Sequence, residues 1–356
     1  MAQVFFSGVS YTYPGFDAPA IQDLDLLVGD GEFLSLLGPS GGGKSTLLRL
    51  LIGLAKPTAG EILLGGEIVT QLPPSSRDVA TISPNYALYP HMTVEENIGF
   101  AMTTGGIATS IVNARVASVI GVLGLDYLRG RHPGRLSRGE RQSVVLARAM
   151  AKSTGVLALD EPLSALDPDD RRQARQQLSA LQRRTQTTII YVTQDQTEAM
   201  TLSDRIAIID RGRLHQVAKP LELYRDPASL AVAEFFGTPP MNTLTAVRAE
   251  DGVRAADLLV PLPSRIRLGP GEPVVVGVRA EEVHLLPRGA ALRVTSIENT
   301  GTDAYVRGYL GDGVDRQQLV VRCPSRAAPR VGETVFVDVL DDQNVRFFDP
   351  ATGLRL

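Results

Sequence analysis

Cysteine is all but absent. Cys323 stands alone in a chain of 356 residues, so no intrachain disulfide and no cysteine metal cluster can form, and its expected place is a half-buried strand. Lysine is scarce as well. Only Lys44, Lys56, Lys152 and Lys219 stand among 36 Lys plus Arg, which gives weight to any lysine that falls inside a motif. No apolar run approaches the roughly 20 residues needed to span a bilayer. The segment Met1 to Asp17 lacks the basic start and small-residue cleavage site of a signal peptide. A large positive charge is also missing: the formal net charge of -3 argues against nucleic acid as the main partner. These absences point to a cytosolic protein.

What is present is enough apolar material to fold. Hydrophobic residues make up 44% of the chain, so a full core can be buried, and the length suggests two domains. Two textures follow one another. Up to about residue 237, strand-like runs (33–37, 156–159, 188–192) alternate with helical patterns (44–53, 169–185), which implies an α/β layered domain. From 243 to 356 the helical patterns vanish. Short strand runs at 274–278, 292–297, 304–309, 319–322 and 335–340, separated by turns such as Gly311-Asp312-Gly313, read as a small all-β, barrel-like domain. Gly237-Thr238-Pro239-Pro240 has the turn chemistry of a linker. The expected domains are therefore 1–237 and 243–356.

Two motifs carry chemistry. Gly38-Pro39-Ser40-Gly41-Gly42-Gly43-Lys44-Ser45 fits G-x-x-x-x-G-K-[ST], a phosphate-binding loop between a strand and an apolar helix. Its glycines let backbone N–H groups turn toward phosphate oxygens. Lys44 supplies a cation, Ser45 a hydroxyl suited to Mg²⁺, and the following helix its positive end. The second motif is Val156-Leu157-Ala158-Leu159-Asp160-Glu161, an apolar strand ending in two acids. Asp160 is placed near the Mg²⁺ shell, and strand alternation is expected to turn Glu161 toward the γ-phosphate and an attacking water. The simplest competing reading is an Asp-Glu pair at a solvated strand end.

With these residues in place the chain resembles ABC transporter ATP-binding subunits of the maltose/sugar importer type. Leu136-Ser137-Arg138-Gly139-Glu140 is similar to the L-S-G-G-Q signature, and Leu163-Ser164-Ala165-Leu166-Asp167 to the D-loop. Tyr13 stands where the family keeps an aromatic that stacks on adenine. Tyr86 to Met92 resembles the segment that receives the coupling helix of a membrane subunit, and Phe235 to Asn242 the entry to a C-terminal OB/TOBE-like regulatory β-domain. The resemblance implies a P-loop ATPase that binds ATP and Mg²⁺ and works as a head-to-tail dimer on the cytoplasmic face of a membrane. Its permease partners and, indirectly, a solute-binding protein would complete the importer. It also assigns Thr46, Ser137, Gly139 and Asp167 to the nucleotide with the P-loop, Ser45 and Asp160 to the metal, and Glu161 and Gln194 to catalysis. Ser137-x-x-Glu140 reads equally as a capping box that opens an amphipathic helix.

The pattern breaks in three places. Arg138 and Glu140 depart from the signature. Pro84 stands where the family expects the Q-loop glutamine, with Asn85 next to it, and proline offers neither an N–H nor a side-chain oxygen. Gln194 stands where a histidine is expected after the strand at 189–193; its amide can donate to a phosphate oxygen but carries no ionisable proton. Three readings stay open: an importer ATPase for a sugar or related solute; a weakly hydrolysing, nucleotide-gated subunit paired with a more active ATPase; and a soluble ABC protein acting on ribosomes or DNA. The solute is not legible, because specificity lies in other subunits.

Overall fold

The computed structural model describes residues 2–82, 88–152, 154–164, 166–341 and 343–356. They form two compact units, Met1–Pro220 and Leu221–Leu356. The first runs β1 (Val4–Tyr11), β2 (Ile21–Val28), β3 (Phe33–Leu37), α1 (Lys44–Leu51), β4 (Ala59–Leu64), β5 (Glu67–Ile68), β6 (Val79–Ile82), α2 (Val94–Thr104), α3 (Thr109–Leu123), α4 (Arg138–Ala151), β7 (Val156–Asp160), α5 (Pro168–Thr185), β8 (Thr188–Thr193), α6 (Gln196–Leu202), β9 (Arg205–Asp210) and β10 (Arg213–Ala218). An antiparallel sheet is ordered β2-β1-β4-β5, and a second sheet β10-β9-β3-β8-β7-β6. Strands β9, β3, β8, β7 and β6 of the second sheet run parallel.

The parallel strands are near-continuous apolar runs because both of their faces are covered. Alternation divides them between two cores. Leu34, Leu36, Val156, Ala158, Ile190 and Val192 join β1, β2 and α1. Phe33, Leu157, Leu159, Ile189 and Tyr191 join α2, α3 and α4. The loop 38–43 therefore leaves β3 at the same sheet edge where β7 ends on Asp160 and β8 on Thr193. The carboxyl ends of parallel strands are where open α/β sheets bind ligands.

The second unit contains α7 (Pro220–Arg225, its first residue lying at the division), α8 (Leu230–Phe235), β11 (Asn242–Ala249), β12 (Gly252–Ala255), β13 (Leu258–Val260), β14 (Pro273–Val278), β15 (Val283–Leu286), β16 (Ala290–Asn299), β17 (Asp303–Leu310), β18 (Gln317–Pro324), β19 (Thr334–Val339) and β20 (Arg346–Phe348). The strands form two five-stranded antiparallel sheets, β13-β12-β11-β14-β20 and β15-β19-β16-β17-β18, around one apolar core. Cys323 is buried there on β18, and burial raises its thiol pKa.

The compact units divide after Pro220, ahead of the change in sequence texture near 237. One reason is Arg279, which is buried in the β-rich unit. Its guanidinium donates to the Phe236 carbonyl at 2.7 Å and the Tyr224 carbonyl at 2.7 Å, and lies 4.0 Å over the Tyr224 ring. Tyr224 in turn donates its hydroxyl to Glu281 at 2.7 Å. The segment carrying α7 and α8 is thus held by the strands that follow it.

Candidate nucleotide-binding site

Helix α1 begins without a side-chain cap. Gly43 is its N-cap, with φ 106°, no side-chain hydrogen bond and no acid in the first turn. By contrast α2, α4, α5 and α6 are capped by Thr93, Ser137, Asp167 and Asp195. The first-turn N–H groups of α1 are thus directed at the loop, a ready anion site. Glycine is required at 43 on two grounds: the positive φ, and a Cβ that would lie 2.7 Å from the Ala20 carbonyl. A Cβ on Gly38 would collide with the Ile209 carbonyl, and one on Gly42 would sit 2.9 Å from it. Gly41, at φ 78°, makes the remaining left-handed turn between Pro39-Ser40 and Gly42. Lys44 is buried and donates to the carbonyls of Gly38 at 2.8 Å and Pro39 at 2.7 Å. Burial lowers its pKa, opposed by the nearby carboxylates of Glu161, Asp160 and Asp210.

The Ser45 hydroxyl donates to Asp160 Oδ1 at 3.0 Å. Burial raises the Asp160 pKa, the Ser45 hydrogen bond lowers it, nearby Glu161 raises it further, and Lys44 opposes. A hydroxyl and one carboxylate suit Mg²⁺, which keeps waters and phosphate oxygens as its other ligands. No group of three or more His, Cys, Asp or Glu among the described residues could hold a metal by itself. The donor set fits a metal that arrives with a phosphate.

Glu161 is placed differently from the expectation of simple alternation. Strand β7 stops at Asp160, and Glu161 takes a left-handed backbone with φ 45°, which costs a non-glycine residue about 1–2 kcal/mol. Its N–H donates to the Val192 carbonyl at 2.9 Å, and its carboxylate accepts a hydrogen bond from Gln194 Nε2 at 2.7 Å. The residue in the histidine position therefore sits directly against the acid.

Ser137 and Gly139 lie elsewhere in the unit. Ser137 caps α4 in a reciprocal capping box: its N–H donates to Glu140 Oε2 at 2.7 Å, and its Oγ accepts from Glu140 N at 3.2 Å. Glu140 is 3.9 Å from Arg131, an ion pair that offsets its charge. A Cβ on Gly139 would strike the Asp170 carboxylate. A cleft of about 540 Å³ opens here, lined by Tyr127, Ser137, Gly139, Asp170 and Gln173 among others. Asp167 Oδ1 caps α5 by accepting from Asp170 N at 2.9 Å. Among the described residues no hydrogen bond joins Ser137, Gly139 or Asp167 to the P-loop. Tyr13 is close to it: its hydroxyl lies 3.0 Å from Thr46 Oγ1, and its ring meets Tyr11 edge-on at 4.9 Å. Pro84, Asn85, Tyr86 and Ala87 fall outside the described residues. From Leu88 on, Asn97 holds the segment, accepting from Tyr89 N and donating to the carbonyls of Tyr89, Met92 and Thr93.

Sequence reasoning passed over two supports of this site. Arg77 is buried and donates to the carbonyls of Leu50 and Leu51 at 2.7 Å each, ending α1, and to Leu72 and Thr70 at 3.0 Å. No local signal marks it. Glu198 is buried and accepts from Tyr191 at 2.8 Å and Thr193 at 2.7 Å. Burial raises its pKa, against these hydrogen bonds. Asp195-x-x-Glu198 could have been read as a capping box; the Glu198 carboxylate points inward instead.

Comparison with known proteins bears on the family. The sequence matches the ABC transporter family over residues 21–164, the MalK OB fold domain over 237–283 and the TOBE domain over 276–347. It is 40% identical to the diacetylchitobiose uptake system ATP-binding protein MsiK of Streptomyces coelicolor, over 100% of both chains. It is 41% identical to the sn-glycerol-3-phosphate import ATP-binding protein UgpC of Cereibacter sphaeroides, also over 100% of both. A dimeric ATP-binding cassette in a post-hydrolysis state, bound to ADP and Pi, superposes with TM-score 0.55 and 27% identity, covering 61% of this chain and 98% of that one. These relatives lend no support to a degenerate, weakly hydrolysing subunit. With full-length relatives at this identity and the three domains in order, the chain belongs to the ABC transporter family, among the ATP-hydrolysing subunits of sugar-type importers.

Proposed function

We propose that this chain pairs head to tail with a second ATPase subunit, in the simplest case another copy, and hydrolyses MgATP to drive uptake of a carbohydrate or a related polar solute. The observation that carries the reading is the convergence at one sheet edge of an uncapped helix start with Lys44, the Ser45–Asp160 pair at 3.0 Å and the Glu161–Gln194 pair at 2.7 Å. Lys44 can exchange its two loop carbonyls for the β- and γ-phosphate oxygens. Ser45 and Asp160 would hold Mg²⁺, which supplies charge neutralisation at the phosphates. Glu161 takes the proton of the attacking water. Gln194 keeps one N–H on Glu161 and has a second to offer a γ-phosphate oxygen, so one neutral amide can orient both base and substrate. Tyr13 presents its ring to the adenine. Ser137 and the Gly139 N–H at the start of α4 face the nucleotide of the partner, with Asp167 beside them.

The solute class comes from the relatives, whose names specify diacetylchitobiose and sn-glycerol-3-phosphate. A groove of about 430 Å³ lined by His91, Met92, Glu95, Gly99, Phe100 and Val116 among others lies beside the segment running to Met92; it suits a helix of a membrane permease. No helix of the described residues is long and apolar enough to cross a membrane; the proposed peripheral place on the cytoplasmic face rests on the likeness to importer ATP-binding subunits. The test is ATP-driven uptake by the chain reconstituted with its permease subunits and solute-binding protein, offering a labelled disaccharide and labelled glycerol-3-phosphate in parallel. Uptake of either that depends on Lys44 is expected. Uptake unaffected by Lys44→Ala would sink the reading.

A further inference from the structure

Behind the Glu161–Gln194 contact lies a buried polar network that the reaction as described does not use. Thr193 and Glu198 are both almost fully buried. Glu198 Oε2 accepts from the Thr193 hydroxyl at 2.7 Å and from the Tyr191 hydroxyl at 2.8 Å. Thr193 Oγ1 accepts in turn from Asp195 N at 3.0 Å, which closes the turn that carries Gln194. On the other side stands Arg171 of α5. Its Nη2 donates to the Leu166 carbonyl in the D-loop at 3.0 Å. Its Nη1 is 3.8 Å from Asp195 Oδ2, and its Nε is 3.9 Å from Glu198 Oε1. That Nε–H is buried and has no hydrogen-bond partner among the described residues. A chain of contacts thus runs from the D-loop through Arg171 and Glu198 to Thr193, Gln194 and Glu161.

We propose that Glu198 is a positioning residue for ATP hydrolysis: it fixes the Thr193–Gln194 turn from behind and, through Arg171, ties it to the D-loop, so that the Gln194 amide meets Glu161. The inference rests on the reading of Glu161 as the base. Removing the Glu198 carboxylate leaves two buried hydroxyls without their acceptor and the turn without its tether. A displacement of about 1 Å at a reacting group can cost about 10²-fold in rate.

The experiment is a double-mutant cycle in the full-length chain assembled with its permease subunits, reading kcat and KM for MgATP and the melting temperature. Glu198→Ala and Gln194→Ala should each lower kcat by about tenfold or more with KM little changed, and the double variant should be no slower than the slower single one. Thr193→Val, which cuts the tether and leaves the Glu198–Tyr191 bond, should reproduce the loss. If Glu198→Ala does not fold, the cycle is run with Thr193→Val in its place. Losses that multiply in the double variant, or a parental kcat in Gln194→Ala or in the tether variant, overturn the proposal. Glu161→Gln with a parental rate would remove Glu161 as base, and is distinguishable because the cycle reads only the coupling of the tether to Gln194.

Discussion

Lys44 shows how burial changes what a substitution does. Its ammonium is buried and, among the described residues, is hydrogen-bonded to the backbone carbonyls of Gly38 and Pro39. Truncation loses those bonds, each worth about 1.5–3 kcal/mol, but also relieves the desolvation of a charge, which is of similar size. Lys44→Ala should therefore shift the ligand-free melting temperature by only a few degrees. The same change removes the cation facing the phosphates, so MgATP affinity should fall about 100-fold or more, measurable by calorimetry. Glu161→Gln keeps the shape and the Gln194 contact but not the base. Phosphate release should drop by about 10²–10⁴-fold, while ATP is retained and a dimer appears on size exclusion in MgATP.

Among the secondary-structure elements, helix α1 depends on both of its ends. Its start is left uncapped by Gly43, and its end is closed by Arg77 from a different segment. Gly53 makes room for that guanidinium, since a Cβ there would lie 2.8 Å from Arg77 Nε. Arg77→Met would take the side-chain donor from the carbonyls of Leu51, Thr70 and Leu72 and leave Leu50 with only the Gly53 N–H at 3.2 Å, at about 1–3 kcal/mol for each unsatisfied group. We expect a loss of about 3 kcal/mol or more in urea unfolding. Helix α4 offers a contrasting test. Ser137→Ala removes the capping box and should cost about 1 kcal/mol of stability. A fall in hydrolysis larger than that loss of folded protein explains would show that Ser137 also faces a nucleotide; a rate that merely tracks stability would leave it as a cap.

The whole chain is best divided after Pro220. A fragment 1–220 keeps both cores of the first unit and should fold and bind MgATP. A fragment 1–237 also carries α7 and α8 without Arg279 and Glu281, which hold Tyr224 and Phe236. It should show lower solubility than 1–220 and more rapid proteolysis within 221–237. Equal behaviour of the two fragments on gel filtration and limited proteolysis would place the boundary at 237 instead. The composition change near 243 was legible because strands have a period of two. The membership of 221–237 was not, because two short helices look the same in sequence whichever core they pack on.

Elements whose information is local were legible from the residues alone. The P-loop needs glycine at left-handed and crowded positions. The central strands are apolar on both faces, and the capping box at Ser137 needs residues only three apart. The site itself was decided by tertiary structure. Gln194 reaches Glu161 across 33 residues because β7 and β8 pair in parallel with Asp160 opposite Val192. Thr193 stands opposite Leu37 at the mouth of the P-loop because β3 pairs with β8 in that register. No local period encodes the register of strands joined by crossovers. It follows from how the alternating side chains fill two cores at once, and that same packing turns Glu198 inward, seats Arg77 under α1 and sets Glu161 in its left-handed turn.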